Sequence, residues 1–97
     1  MNHSANPSTV HKPLGRYCHT TLVPADARWL VLSGQVGINS KGQLATGIRK
    51  QTEQTFRNIL ACLRAQGMRK KDLVKTTVYL TDSRFADSYR QARSKGI

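Results

Sequence analysis

The amino-acid sequence predicts an α+β domain whose elements follow the order β-β-α-β-α. Three observations support this prediction. Residues 28–36 form a nearly continuous apolar run, which is typical of a strand covered on both faces. Residues 48–66 place apolar side chains at helical spacing, and residues 73–80 return to a β-branched and aromatic composition. A chain of 97 residues has room for one such domain.

The N-terminal third predicts an arm and then two strands. Residues 1–13 are rich in Asn, Ser, Pro and His and show no periodicity, so we expect a flexible arm that leaves residues 14–97 as the domain. Residues 17–23 contain Thr and Val, which favour extended backbone. The short turn at residues 24–27 then predicts an antiparallel hairpin between this strand and residues 28–36.

The central segment predicts a long amphipathic helix over residues 48–66. Its apolar face is formed by Thr52, Phe56, Ile59 and Leu63. Its opposite face is basic and contains Lys50, Arg57 and Arg64. Gly67 follows the last periodic residue, which is where glycine commonly ends a helix.

The C-terminal third predicts a strand over residues 73–80 and a second helix that ends near residue 94. Residues 81–83, Thr-Asp-Ser, supply a helix N-cap, and Phe85 and Tyr89 lie on one side of the helix. The strand–helix–strand order predicts a right-handed crossover. The sheet would then carry its helices on one face.

The charge is strongly basic. Sixteen Lys and Arg residues oppose five Asp and Glu residues, which gives a net charge of +11. Such a balance attracts polyanions and makes nucleic-acid association one hypothesis. Twelve of the sixteen basic residues lie at positions 49–97. A solvated basic helix face is the alternative interpretation.

Several classes of protein are disfavoured. The longest apolar run, residues 29–32, is far too short to span a membrane, and residues 1–13 lack the apolar core of a signal peptide. We therefore expect a cytoplasmic protein in which Cys18 and Cys62 are free thiols. His3, His11 and His19 show no metal-ligand spacing with cysteine.

The Ser33-Gly34-Gln35 segment at the end of the second predicted strand allows two interpretations. Glycine there lets a ligand approach the backbone closely, with the Ser33 hydroxyl and the Gly34 amide as donors. A strand-ending bulge is the alternative, because the spacing of Gly34 and Gly37 fits no phosphate-binding loop.

Three segments of the chain resemble a known family. They are residues 13–17 (PLGRY), residues 32–39 (LSGQVGIN) with Gly42, and residues 51–60 (QTEQTFRNIL) with Gly67 and residues 72–82 (DLVKTTVYLTD). In order and spacing they are similar to the Rid family of reactive-intermediate deaminases, also called the YjgF or endoribonuclease L-PSP family. The resemblance covers residues 13–89.

This resemblance implies a chorismate-mutase-like (YjgF-type) fold and a homotrimer with active sites between subunits. It implies hydrolysis of 2-imino and enamine acids to 2-oxo acids and ammonia, with no cofactor or metal. By resemblance Tyr17 and Ser33 are the candidate catalytic residues. Gly34 and Tyr89 are the candidate substrate-binding residues, with Ser33 helping Gly34 to hold the substrate; Tyr89 stands at about the position where the family often has an asparagine.

The sequence also departs from the family pattern. The family places a carboxylate-clamping arginine and a water-handling glutamate on two strands after the second helix, and residues 1–97 contain neither strand. We therefore expect a C-terminally incomplete domain that is marginally stable by itself, because an open sheet edge pairs readily with other chains. Residues 89–93 resemble a branch that often lacks the arginine. An RNA-associated protein and a non-catalytic ligand-binding subunit stay open as alternatives.

Overall fold

The computed structural model describes residues 2–96, and it shows an α+β composition. It divides into two compact units, Met1–Leu30 and Val31–Ile97. The first unit contains strands β1 (His3–Ala5) and β2 (Thr20–Leu22), and the second contains helices α1 (Gly47–Ala65) and α2 (Ala86–Gly96). The α+β class predicted from the sequence is thus confirmed at the level of a small two-stranded sheet and two helices.

The sheet of the first unit pairs β1 with β2 in antiparallel orientation, with Ser4 opposite Thr21. The hydroxyl oxygens of these two residues lie 3.3 Å apart, which is a cross-strand contact of the kind that stabilises sheets. Next to the pair, the Asn6 side chain accepts a hydrogen bond from the His19 N–H at 2.8 Å. The strand predicted over residues 17–23 is therefore shorter, and its partner is β1. The flexibility predicted for residues 1–13 stays a prediction.

Residues 28–36 and 73–80 do not lie in strands in this structure. Most of their apolar side chains are exposed, to 86% at Val31 and 91% at Tyr79, whereas their leucines are half-buried. A strand is stable only when another strand completes its ladder of hydrogen bonds and another layer covers its apolar face. The composition of these two segments is that of strands, but the described residues provide no second strand for either of them.

Helix α1 forms where its apolar periodicity predicts it. Phe56 and Leu63 are buried, and both are only 3% exposed. Thr52 is buried beside them, and its hydroxyl donates to the Ile48 carbonyl at 2.7 Å. The basic residues of the opposite face are exposed, as expected.

Helix α2 packs against α1 through small residues. Ala92 is 3% exposed, and a Cβ atom placed on Gly96 would lie 3.3 Å from the Phe56 Cβ. The two helices therefore approach each other closely around Phe56, which makes this aromatic side chain the centre of a small apolar core.

The C-terminal end of α1 is a Schellman motif, in which a residue with positive φ follows the helix. Gly67 has φ +72°. Its N–H donates to the Arg64 carbonyl at 3.0 Å, and the Met68 N–H donates to the Leu63 carbonyl at 2.8 Å. The helix stop predicted at Gly67 is confirmed.

The N-terminal approach to α2 is capped by Asp82, as the sequence predicts. A 3₁₀ turn over Ser83–Phe85 leads into the helix, and Asp82 Oδ1 accepts the Arg84 N–H at 2.9 Å. The other carboxylate oxygen, Oδ2, accepts from the Arg84 guanidinium, with Nη2 at 2.6 Å. The side-chain bond from Arg84, followed by the bond from its backbone N–H, lowers the pKa of Asp82 below its ordinary value.

We predict that Arg84→Gln moves the pKa of Asp82 back toward its ordinary value, because the guanidinium is the largest cause of the lowering. A carboxylate with a lowered folded pKa stabilises the fold at pH above its unfolded pKa. That contribution disappears as the pH falls through the lowered folded pKa. An NMR titration of the Asp82 carboxyl group measures the shift. Arg90→Gln is the control, since Arg90 pairs with Asp87 instead, and equal shifts in the two variants would disprove the assignment.

Candidate functional site

The Ser33-Gly34-Gln35 segment lies exposed at the start of the second unit. Ser33 and Gly34 are both exposed, and a Cβ atom on Gly34 would meet nothing within 4 Å. The Gln35 side-chain amide donates to the Ser33 carbonyl at 3.2 Å and so folds back on the segment. The Ser33 hydroxyl and the Gly34 backbone are therefore accessible to a small molecule.

Gly37 fixes the end of this segment against α1. A Cβ atom on Gly37 would lie 2.6 Å from the Gln51 Cα and 2.9 Å from the Gln51 carbonyl oxygen. No residue other than glycine fits that distance to a helix backbone without displacing the chain. The sequence suggested that a ligand approaches the backbone closely at Gly34. In the structure the close approach occurs at Gly37, where the backbone of α1 is the neighbour.

Asn58 on α1 holds the residues on both sides of Gly37. Its Nδ2 donates to the Val36 carbonyl at 3.1 Å and to the Ile38 carbonyl at 2.9 Å. Its Oδ1 accepts from Gln54 Nε2 at 2.8 Å, which fixes the orientation of the amide. The Asn58 amide thus donates both of its hydrogens to one short stretch of backbone. These bonds hold the end of the segment that begins at Ser33 against α1.

A tight turn brings the chain from Ile38 back to α1. Asn39 Oδ1 accepts from the Lys41 and Gln43 N–H groups, each at 3.0 Å. The Ala45 N–H donates to the Gly37 carbonyl at 2.8 Å, and Gln51 Nε2 donates to the Ala45 carbonyl at 3.0 Å. The turn chemistry read from the sequence at residues 39–42 is therefore present, and it ties both ends of the loop to the start of α1.

Tyr17 belongs to the first unit and lies in the loop before β2. It is 50% exposed, and its hydroxyl accepts a hydrogen bond from the Leu14 N–H at 3.2 Å. The His19 ring stands edge-on to the Tyr17 ring, with centroids 5.8 Å apart. The hydroxyl keeps its proton free for a second hydrogen bond, which is the property a pocket-lining donor needs.

Cys18 lies next to Tyr17 and is half-buried. Hydrogen bonds from the Ser4 side chain and then from the Thr21 side chain lower the pKa of its thiol. The Thr21 hydroxyl oxygen is 3.5 Å from the Cys18 sulfur. The thiol is free, as the sequence predicts for both cysteines.

Tyr89 lies on α2 at the helix interface of the second unit. Its ring centroid is 6.4 Å from that of Phe56, and the Arg93 guanidinium carbon stands 5.8 Å from the Tyr89 ring centroid. The Tyr89 hydroxyl is buried and has no hydrogen-bond partner among the described residues. A buried hydroxyl without a partner is costly, and this donor is both unsatisfied and closed to solvent in the structure.

The structure distributes the predicted site residues over both units. Tyr17 belongs to the first unit, whereas Ser33, Gly34 and Tyr89 belong to the second. Their assigned roles stay predictions. Among residues 2–96 there is no group of three or more His, Cys, Asp or Glu side chains placed to hold a metal ion. No helix in that part of the chain is long and apolar enough to cross a membrane.

A sequence profile described as endoribonuclease L-PSP matches residues 8–95. The chain belongs to the endoribonuclease L-PSP family. The match includes the Ser33 segment, the Asn58 anchor and the helix α2 that carries Tyr89, and it confirms the resemblance to the Rid family predicted from the three sequence segments.

Curated relatives agree with this family. A RutC family protein from Aquifex aeolicus is 38% identical over 71 residues, which is 72% of this chain and 54% of that protein. The 2-iminobutanoate/2-iminopropanoate deaminase from Homo sapiens is 37% identical over 79 residues, covering 77% of this chain and 56% of that protein. The protein of the same name from Escherichia coli is 35% identical over 54 residues, covering 55% and 42%.

The chain spans about half the length of the curated relatives it matches. No solved structure gives a significant match.

Gly37 and Asn58 are the residues of this site that the sequence interpretation missed. Both stand in the segments that carry the family resemblance; Gly37 is considered from the sequence only as part of a phosphate-binding loop, and Asn58 is not considered. Two features of the sequence indicate these residues. Gly37 is a second glycine three residues after Gly34, and Asn58 is an amide side chain in the middle of a helix. Helix propensity disfavours asparagine there, so its presence indicates a side-chain contact outside the helix.

We predict that Asn58→Ala destabilises the second unit by about 1–3 kcal/mol, because two carbonyl groups lose their donor. Asn58→Asp is worse, since a carboxylate would then face the Val36 and Ile38 carbonyl oxygens. Denaturant unfolding followed by circular dichroism measures both effects. Gln66→Ala is the control, because it removes an exposed amide just after the same helix. An Asn58→Ala variant no less stable than this control would contradict the anchoring role.

Proposed function

We propose that this chain carries the substrate-contacting part of a Rid-type deaminase, which hydrolyses 2-imino and enamine acids to 2-oxo acids and ammonia. The observation that carries the proposal is the exposed Ser33-Gly34-Gln35 segment, which Gly37 and Asn58 fix on α1. Support comes from relatives whose names describe 2-iminobutanoate/2-iminopropanoate deaminases.

The proposed reaction consumes one water and releases one ammonia. Water adds to the carbon of the C=N bond, and the resulting carbinolamine then breaks its C–N bond. The nitrogen takes up one water proton on addition and the carbinolamine hydroxyl proton on collapse, so it leaves as ammonia, and the carbon becomes the keto carbon of the 2-oxo acid. Such a step requires a substrate held by hydrogen bonds near a polarised water, and it requires no change in oxidation state.

The proposed roles follow from the donor groups that these residues carry, some exposed and one buried. Ser33 and Tyr17 each present a hydroxyl that can donate to the substrate or to the attacking water. Gly34 offers backbone that a substrate can approach without a clash. Tyr89 offers a buried hydroxyl without a protein partner among residues 2–96. In the family a carboxylate-binding arginine and a water-activating glutamate complete the site, on segments that follow the second helix.

The finer architecture is also part of the proposal. We place the chain in a chorismate-mutase-like fold and in a homotrimer located in the cytoplasm, with residues 28–36 and 73–80 as strands of the assembled sheet. Their exposed apolar side chains, such as Val31 and Tyr79, support this placement, because extended apolar surface marks a place where another chain packs.

The proposal is tested by generating 2-aminoacrylate in situ and following pyruvate release. We expect the chain to exceed the buffer rate. Tyr17→Phe and Ser33→Ala should each lower that excess by about tenfold or more, as loss of a transition-state hydrogen bond does. Ser40→Ala is the matched control for Ser33→Ala, since the Ser40 side chain is exposed and does not belong to the proposed site.

A rate equal to buffer, from a chain whose helices are intact by circular dichroism, would reject catalysis by these 97 residues. In that case binding of 2-oxobutanoate that is weakened by Ser33→Ala would identify a non-catalytic ligand-binding subunit, the alternative that the sequence leaves open.

RNA association is a second candidate function, favoured by the basic face of α1. Lys50, Arg57 and Arg64 are exposed and recur every seven residues along the helix. With a rise of about 1.5 Å per residue they span about 21 Å, which lets one helix face contact several phosphates of a strand. No ion pair neutralises these three side chains within residues 2–96.

We predict that single-stranded RNA binds the chain with an affinity that falls steeply with salt, and that Lys50→Gln, Arg57→Gln and Arg64→Gln together reduce the salt slope. Each lost phosphate contact lowers the slope by about 0.7 for a single strand. Fluorescence anisotropy at several salt concentrations gives the slope. The control neutralises Lys12, Arg28 and Lys41 instead, which removes the same charge elsewhere. A flat salt response, or equal effects of the two triple variants, refutes specific association through α1.

A further inference from the structure

A solvent-open cavity of about 440 Å³ lies at the C-terminal end of α1, and its lining includes none of the proposed deaminase residues. It is lined by Leu60, Arg64, Gly67, Met68, Arg69 and Lys70. Its volume falls within the range of small-molecule sites, about 300–1,000 Å³. The lining combines apolar side chains with three cations, a combination that the proposed deaminase chemistry does not use.

Backbone hydrogen bonds fix the shape of this cavity. The Schellman motif at Gly67 locks the turn between Arg64 and Met68. Directly after it, Lys70–Asp72 forms a 3₁₀ turn in which Asp72 Oδ2 accepts the Arg69 N–H at 2.8 Å. The chain therefore reverses its direction at a defined place. Cationic side chains before and after this turn contribute to the lining of the same cavity.

The charges around the cavity are not neutralised by neighbours. Within residues 2–96, Arg64, Arg69 and Lys70 form no ion pair. Asp72 is the acidic group beside them, and its carboxylate is engaged by the Arg69 backbone N–H. The helix end contributes partial negative charge, but the Leu63 and Arg64 carbonyl groups already accept hydrogen bonds in the Schellman motif. The local balance therefore favours an anion.

The apolar part of the lining restricts the ligand further. Leu60 and Met68 are half-buried and contribute a hydrocarbon and thioether wall. Methionine adapts its shape to flat or irregular groups and contacts aromatic rings favourably. Arginine suits phosphate because its planar guanidinium donates two parallel hydrogen bonds.

We propose that this cavity binds a small organic phosphate ester. Arg64, Arg69 and Lys70 hold the phosphate, and the organic group contacts Leu60 and Met68. The proposal is independent of the deaminase function, since it uses none of the same residues.

Phenyl phosphate is the probe, with calorimetry for affinity and the Met68 methyl NMR signal for location; Met68→Leu assigns that signal. We expect phenyl phosphate to shift the Met68 methyl and to bind more tightly than inorganic phosphate. Arg69→Gln combined with Lys70→Gln should raise its Kd by about tenfold, as loss of charge-assisted hydrogen bonds does. The control, Lys50→Gln combined with Arg57→Gln, removes the same charge from the helix face and should leave the Kd within about twofold.

Three results would overturn the proposal. Equal weakening in both double variants would show non-specific attraction to the net charge. Equal affinities for phenyl phosphate and inorganic phosphate would show that the apolar wall does not recognise the organic group. Displacement of phenyl phosphate by a short RNA, with the Lys50 and Arg57 changes weakening that RNA, would assign the cavity to an extended RNA surface.

Discussion

The contact between Gly37 and the backbone of α1 is the constraint on which the candidate site depends. With a Cβ position only 2.6 Å from the Gln51 Cα, any larger residue would force the segment away from the helix. The Asn58 hydrogen bonds to the carbonyl groups on either side of Gly37 require the same closeness. The absence of a side chain at Gly37 therefore permits the contact with Gln51 and the two hydrogen bonds from Asn58. These three contacts hold the backbone that follows Ser33 and Gly34 in place on α1.

Helix α1 consequently serves two separate purposes on two of its faces. One face packs Phe56 and Leu63 against Ala92 of α2, which forms a core of few residues. Another face carries Asn58 and Gln51, which hold the loop before the helix. A core this small supplies little stabilisation, since burying one large apolar side chain contributes about 1.5–3 kcal/mol. Exposed apolar residues such as Val31 leave comparable amounts of stabilisation unused in the described residues.

Sequence features within a few residues of each other predicted the helix, its ends and the turns well. They did not predict which distant segments pair or contact each other. The bounds of α1, the turn at Asn39, the glycine stop at Gly67 and the cap at Asp82 all follow from residues within one or two turns of each other. Residues 28–36 and 73–80 have strand composition, but a strand also needs a partner strand, and local composition does not reveal which segment supplies it. β1 was missed because its three residues carry no apolar alternation. Asn58 was missed because its carbonyl partners lie 20 and 22 positions away.

The positions of the few acidic residues determine where the positive charge of the protein is locally unbalanced. Three of the five pair with an arginine close in sequence, namely Glu53 with Arg49, Asp82 with Arg84 and Asp87 with Arg90. Exposed pairs of this kind add little to stability because solvent screens them, but they neutralise three cations locally. Because screening limits charge effects to about 8–10 Å in physiological salt, a ligand responds to local clusters more than to the total of +11. The cluster from Arg64 to Lys71 contains four cations, with Asp72 directly after it, and it borders a cavity. This local excess of cations, together with the cavity, is the physical basis for the anion site proposed at that end of α1.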